Sequence, residues 1–320
     1  MLLPPFFSTF AAVLVLILLI RPIPNFSTTP NCIKMADLQK LERITSQVRR
    51  DIIRQVHYAT CGHPGASLGC TEFFTALYFE IMDHDPTFNM EGKGEDLFFL
   101  SNGHISPVWY SILAHSGYFP VEELATFRKI GSRLQGHPAT HEGLPGIRVA
   151  SGSLGQGISV AIGTAQAKRL NGDDKTVYVL TGDGELQEGQ IWEAAMYAAH
   201  NKIDNLIVTV DWNGQQIDGS NEDVLSLGDL PAKWAAFGWE VMHMNGNDMA
   251  DTISVLREAK TKTGNGKPIV ILMKTDMGHG VDFMTGTHEW HGKAPNAEQT
   301  EIALAQLEET IGDYPYPYKR

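Results

Sequence analysis

The chain has 320 residues, of which 43% are hydrophobic and 19% charged, enough apolar material for one large domain with a buried core. Its formal net charge is -12, and no Lys/Arg run occurs between Met35 and Arg320, so the basic surface that a phosphate backbone requires is absent and nucleic acid is not an expected partner. The three cysteines, Cys32, Cys61 and Cys70, are too few and too irregularly spaced for a disulfide framework or a zinc site, which fits a reducing compartment.

Residues 1–34 differ from everything after them. Phe10 to Ile20 is unbroken apolar sequence, followed by Arg21-Pro22-Ile23-Pro24 and a polar stretch. A secretory signal, an unusual membrane anchor and sequence upstream of the true start are three competing readings. No Lys or Arg precedes the apolar run, which is short for a spanning helix. Met35-Ala36-Asp37-Leu38 opens directly onto an amphipathic helix, so a start at Met35 and a single domain over 35–320 are expected.

Leu38, Leu41, Ile44, Val48, Ile52 and Val56 recur at three- and four-residue spacing, which predicts a helix over about 38–59 with one buried face. A Gly/Pro break follows at Cys61-Gly62-His63-Pro64-Gly65. A second helix is expected over 71–82, then a short apolar strand over 96–100 that ends in Ser101-Asn102-Gly103-His104. From Leu154 the pattern alternates: helix 156–170, strand 176–180, helix 188–201, strand 205–210, helix 231–237, strand 239–244, helix 248–263 and strand 268–274. Such alternation predicts an α/β fold, a doubly wound parallel sheet with helices on both faces. Ligands of such sheets bind beyond the carboxyl ends of the strands, so the loops leaving those ends hold the candidate residues.

The strongest of these loops follows Thr176-Val177-Tyr178-Val179-Leu180-Thr181. Gly182-Asp183-Gly184 combines two glycines, which let the backbone approach a ligand closely, with a hard carboxylate oxygen. A second strand, Leu206-Ile207-Val208-Thr209-Val210, ends in Asp211-Trp212-Asn213-Gly214-Gln215. Asp183, the Asn213 side chain and a backbone carbonyl near Gln215 could occupy three positions around Mg²⁺, or another divalent cation such as Ca²⁺ or Mn²⁺, leaving the rest to diphosphate oxygens and water. Taken alone, Gly-Asp-Gly can also be a plain turn. Gly152-Ser153-Leu154-Gly155-Gln156-Gly157 lacks the preceding strand and the later acidic residue of a dinucleotide fingerprint, and reads as a tight entry to the helix after it.

In order and spacing, Gly62-His63-Pro64-Gly65, Ser101-Asn102-Gly103-His104, Gly136-His137-Pro138, the Gly152–Gly157 segment, Gly182-Asp183-Gly184-Glu185-Leu186-Gln187-Glu188-Gly189 and Trp290-His291-Gly292-Lys293 resemble the transketolase family, specifically its N-terminal diphosphate-binding domain, over nearly all of 38–300. The resemblance implies thiamine diphosphate as cofactor. It gives the metal to Asp183, Asn213 and the Gln215 carbonyl, and the cofactor lining to Gly152, Leu154, Gly182 and Gly184. It further implies that His104 and His291 lie near the diphosphate, that His63 and His137 reach the substrate's hydroxyl and carbonyl oxygens, and that Glu188 lies at a subunit contact. Independently of family, each of these histidines sits beside Gly or Pro in a loop, where a neutral ring can donate to an oxygen or relay a proton. Glu188 also suits the positive end of the helix that it opens. His84, His115, His200 and His243 read as structural. Met277 departs from relatives that place a Lys near the diphosphate.

In the resembled family, the glutamate that activates the cofactor and the arginines that clamp the sugar phosphate come from a following domain. The chain therefore resembles the smaller subunit of a split transketolase. The implied partners are a C-terminal, pyrimidine-binding subunit, in an α2β2 assembly, and sugar phosphates; a membrane is not expected, and the cytoplasm is the expected compartment. Two other readings remain open: a non-catalytic cofactor-binding module, and a subunit of another thiamine-dependent enzyme such as a 2-oxo-acid dehydrogenase or a deoxyxylulose-phosphate synthase. The histidine set at 63, 104, 137 and 291 favours ketose chemistry.

Overall fold

The structure is a computed structural model that describes residues 35–316; the expectations for residues 1–34, and for Cys32 among them, lie outside the described residues. Helix α1, Met35–Ala59, is followed by α2, Pro64–Gly69, and α3, Thr71–Ala76, which runs on into a π-helical turn at Leu77–Ile81. Strand β1, Leu97–Leu100, leads to α4, Ser106–His115. The regular part follows: α5 Gly157–Leu170, β2 Val177–Gly182, α6 Gly189–His200 and β3 Leu206–Trp212. A small antiparallel hairpin, β4 Gln215–Gln216 with β5 Gly219–Ser220, precedes α7 Asn221–Leu225 and α8 Leu230–Ala236. The chain closes with β6 Glu240–Asn245, α9 Met249–Thr261, β7 Ile269–Lys274 and α10 Ala297–Gln306.

The main sheet has the order β1-β2-β3-β7-β6 and every pairing is parallel. Strands β1, β2, β3 and β7 are buried almost without alternation because both faces are covered, whereas the edge strand β6 alternates buried Met242 and Met244 with exposed His243 and Asn245. Leu97, Phe99, Val177, Val179, Leu206, Val208, Val210, Val270 and Leu272 form one cluster with Ile158 and Ala161 of α5, Ile191 and Ala195 of α6, and Trp234 of α8. Side chains one residue along point the other way. There the Phe98 ring meets Phe73 and Phe74 of α3 and Trp109 of α4 at centroid distances of 6.3, 5.3 and 5.4 Å. The doubly wound parallel fold expected from the strand and helix pattern is therefore present.

Helix α1 is buried on more than one face. Leu41, Ile44, Val48, Ile52 and Val56 are buried as their spacing requires, but so are Gln47, Arg50, Asp51 and Arg54. The segment after α10 covers that polar side: Arg50 Nη2 lies 2.8 Å from Asp313 Oδ2, and Arg54 Nη2 donates to the Tyr314 carbonyl at 2.6 Å. Among the described residues, no helix is long and apolar enough to cross a membrane.

Candidate active site

Three neighbouring strands bring their carboxyl ends to one cleft of about 420 Å³. Strand β1 runs into Ser101-Asn102-Gly103-His104, β2 delivers Gly182-Asp183-Gly184, and β3 delivers Asp211 and Asn213. His63, His104, His137, Gly152, Leu154, Gly182, Asp183, Gly184, Glu188, Asn213, Gln215 and His291 all line this cleft. Every site residue expected from the sequence is thus brought to one place.

On one side the four histidines form a cluster around His63. Its ring centroid lies 5.0 Å from that of His104, 5.6 Å from that of His291 and 6.3 Å from that of His137, while His104 and His291 are 5.0 Å apart. Four rings so close cannot all carry charge. Burial, and then the neighbouring His291, Arg128 and His137, push His63 down to about 4. Burial is also the main cause that lowers His104, His137 and His291. The rings are neutral near pH 7, each with one donor and one acceptor nitrogen. Nδ1 of His63, Nδ1 of His291 and Oδ1 of Asn102 are buried with no hydrogen-bond partner among the described residues, which suits a cleft that takes a polar ligand.

On the other side lies the oxygen set. Asp183 is buried at the end of β2 and accepts from Gly184 N at 2.8 Å and Gly214 N at 2.6 Å. Burial, and then the charge of Asp211, push its carboxyl up to about 7. A divalent cation would offset both negative charges. Asn213 donates from Nδ2 to Asp211 Oδ2 at 2.8 Å, so its amide oxygen is the end left to a ligand, although that oxygen also accepts from Gln215 N at 2.8 Å. Asp211 is itself held by the Thr275 hydroxyl. Among the described residues, no three His, Cys, Asp or Glu side chains are grouped to hold a metal; the candidate set relies on one carboxylate, one amide and one carbonyl.

Glycines shape the wall between the two sides. Gly152 has φ +114°, and a Cβ there would lie 2.5 Å from Cδ2 of His137. A Cβ on Gly103 would lie 2.8 Å from the Gly152 nitrogen. Glu188 occupies the N-cap position of α6 without a side-chain capping hydrogen bond, and it lines the cleft. Met277 is buried and packs beneath α2, where a Cβ on Gly65 would lie 2.6 Å from its Cγ; it does not line the cleft. His84 bonds to the Tyr78 carbonyl, His115 pairs with Asp51 at 2.7 Å, and His200 and His243 are exposed. Cys61 is exposed and Cys70 buried, both as free thiols.

The lining also includes residues to which the sequence pattern assigned no role: Asn102, Glu185, Gln187, Asp211, Gln216 and Ile217. Asp211 had a readable signal, an acid that closes a run of buried apolar residues. Glu185 lies within the quoted motif, but two of its three partners, Ser101 and Gly155, are 84 and 30 residues away.

Residues 41–316 match the family described as transketolase, thiamine diphosphate binding domain. The chain belongs to the transketolase family. It is 39% identical over 271 residues to an apulose-4-phosphate transketolase subunit of Actinobacillus succinogenes, with 84% of this chain and 96% of that protein aligned. It is 38% identical over 268 residues to a 6-deoxy-6-sulfo-D-fructose transketolase subunit of a Clostridium species, covering 84% and 96%. The crystal structure of transketolase from Campylobacter jejuni superposes with a TM-score of 0.79 at 32% identity, over 87% of this chain but only 44% of that longer one.

Proposed function

We propose that this chain holds thiamine diphosphate through Mg²⁺ and, joined to a C-terminal transketolase subunit, transfers a two-carbon unit from a ketose phosphate to an aldose phosphate. One observation carries the reading: four neutral histidines and the Asp183–Asn213 oxygen set converge on the same cleft. Asp183, the Asn213 amide oxygen and the Gln215 carbonyl would hold the cation, with Gly182, Gly184, Gly152 and Leu154 against the cofactor. Bound there, thiamine diphosphate supplies a carbon nucleophile and an electron sink for breaking the bond beside a ketone. The chain's own residues do the rest. His104 and His291 donate to diphosphate oxygens, and His63 and His137 donate to substrate oxygens and move a proton at their ring nitrogens. Taking up a proton needs a neutral ring, which burial favours.

A second chain is supported by the lengths: this one spans 96% of the apulose-4-phosphate transketolase subunit and 44% of the C. jejuni transketolase. In this reading Glu188 lies where the two subunits meet, the assembly is α2β2, and the enzyme works in the cytoplasm with its sugar phosphates. The relatives' names widen the substrate question, since one names a branched sugar phosphate and another a sulfonated sugar. The test assays ketol transfer by the chain, its C-terminal partner and the mixture, using xylulose 5-phosphate, apulose 4-phosphate and 6-deoxy-6-sulfofructose as donors with ribose 5-phosphate as acceptor. Turnover is expected in the mixture alone. Turnover by this chain without a partner, or none with any donor, would contradict the proposal.

A further inference from the structure

Glu185 is only 2% exposed, yet it makes three separate attachments. Its Oε1 accepts from the Ser101 hydroxyl and from Gly155 N at 2.8 Å, and its Oε2 accepts from Gly182 N at 3.0 Å. The three donors belong to three different walls of the cleft: the end of β1, the glycine loop before α5, and the end of β2. Ser101 Oγ in turn accepts from Gly157 N at 3.1 Å, in the first turn of α5. The join is tight, for a Cβ on Gly157 would lie 2.5 Å from Cβ of Ser101.

Burying a carboxylate is unfavourable unless hydrogen bonds replace its hydration. A carboxylate can do here what no neutral side chain can, since both of its oxygens accept and neither donates. It can therefore hold N–H groups that approach from opposite sides. His104 follows Ser101 by three residues, Leu154 precedes Gly155, and Asp183 follows Gly182. One side chain thus ties together the backbone beneath the histidine side, the loop and the metal side of the cleft.

We propose that Glu185 is a positioning residue: it holds the 152–155 loop and the β1 end against the strand end that carries Asp183, so that the cleft keeps its spacing before the cofactor arrives. This rests on the cofactor reading given above. Glu185→Gln replaces one acceptor oxygen by an NH₂ group that meets a backbone N–H head on. In the free chain, amide exchange over 152–157 and 182–184 is expected to speed up about tenfold while the helices elsewhere keep their rates. The affinity for thiamine diphosphate with Mg²⁺, read by calorimetry, is expected to fall about 10- to 100-fold. Glu185→Asp, which keeps both acceptors on a shorter stem, should recover part of that loss. If Glu185→Gln does not fold, Ser101→Ala removes one arm and leaves the carboxylate, with the same local exchange effect and about a tenfold loss of affinity expected.

Unchanged loop exchange together with wild-type affinity in a folded variant would overturn the proposal. So would exchange that rises evenly over the whole chain, the mark of a merely structural role. Failure of the wild-type chain to bind the cofactor at all would count against the functional reading instead, and the exchange comparison would still decide whether Glu185 clamps the loop.

Discussion

Removing the Asp183 carboxylate takes away the anionic member of the proposed cation set, so Asp183→Ala should abolish Mg²⁺-dependent binding of thiamine diphosphate. Asn213→Ala removes a neutral oxygen and should weaken binding less, by roughly tenfold. Equal affinities in both variants and the wild type, measured by calorimetry, would misplace the metal. The histidines make a pH prediction. His63 is held at about 4, below the ordinary value of 6.5, so between those values the unfolded chain binds more protons at this position than the folded one. Stability is then fully present above about pH 6.5 and declines as the pH falls toward 4. By pH 5 this ring should account for a loss of about 1–2 kcal/mol, allowing for its partial exposure. Urea unfolding at pH 7 and pH 5 should show a smaller difference for His63→Asn than for the wild type, and equal differences would contradict the account.

The loop around Gly152 is the most sensitive element. Gly152→Ala puts a side chain at φ +114° and 2.5 Å from the His137 ring, which must move. A loss of about 1–3 kcal/mol in stability is expected, with turnover by the assembled enzyme reduced at least about tenfold. Turnover equal to wild type would show that the His137 position does not matter. Most elements are legible in the sequence because strands and helices alternate with clear breaks, and the motif residues fall where strands end. The exceptions have physical causes. Helix α4 shows no period because every residue from Ser106 to Ala114 is buried. Helix α10 carries a capping box at Asn296 and Gln299, but its only large apolar side chains are Ile302 and Leu304, and Ile302 faces solvent. The helix expected over 71–82 is present over Thr71–Ile81, its last turn widening into a π-helix whose Tyr78 ring meets Phe98 of β1. Glu185 escaped because Ser101 lies 84 residues away, beyond any local pattern.

At the scale of the molecule, a chain of net charge -12 has no general field to hold a diphosphate, so binding must come from the cleft itself. That places the burden on one cation and a few neutral donors. In the proposed reading the cation would offset the charge of Asp183 and Asp211, and the cofactor would lie between the oxygen set and the histidines. The activating carboxylate and the phosphate clamp belong, in the proposed reading, to the second chain. The most direct test is therefore to titrate thiamine diphosphate calorimetrically into the purified chain, with Mg²⁺ and again with EDTA, and to assay ketol transfer in the same samples. The account predicts saturable binding with Mg²⁺, none after chelation, and no turnover in either sample. Binding that survives chelation, or turnover by this chain alone, would contradict it.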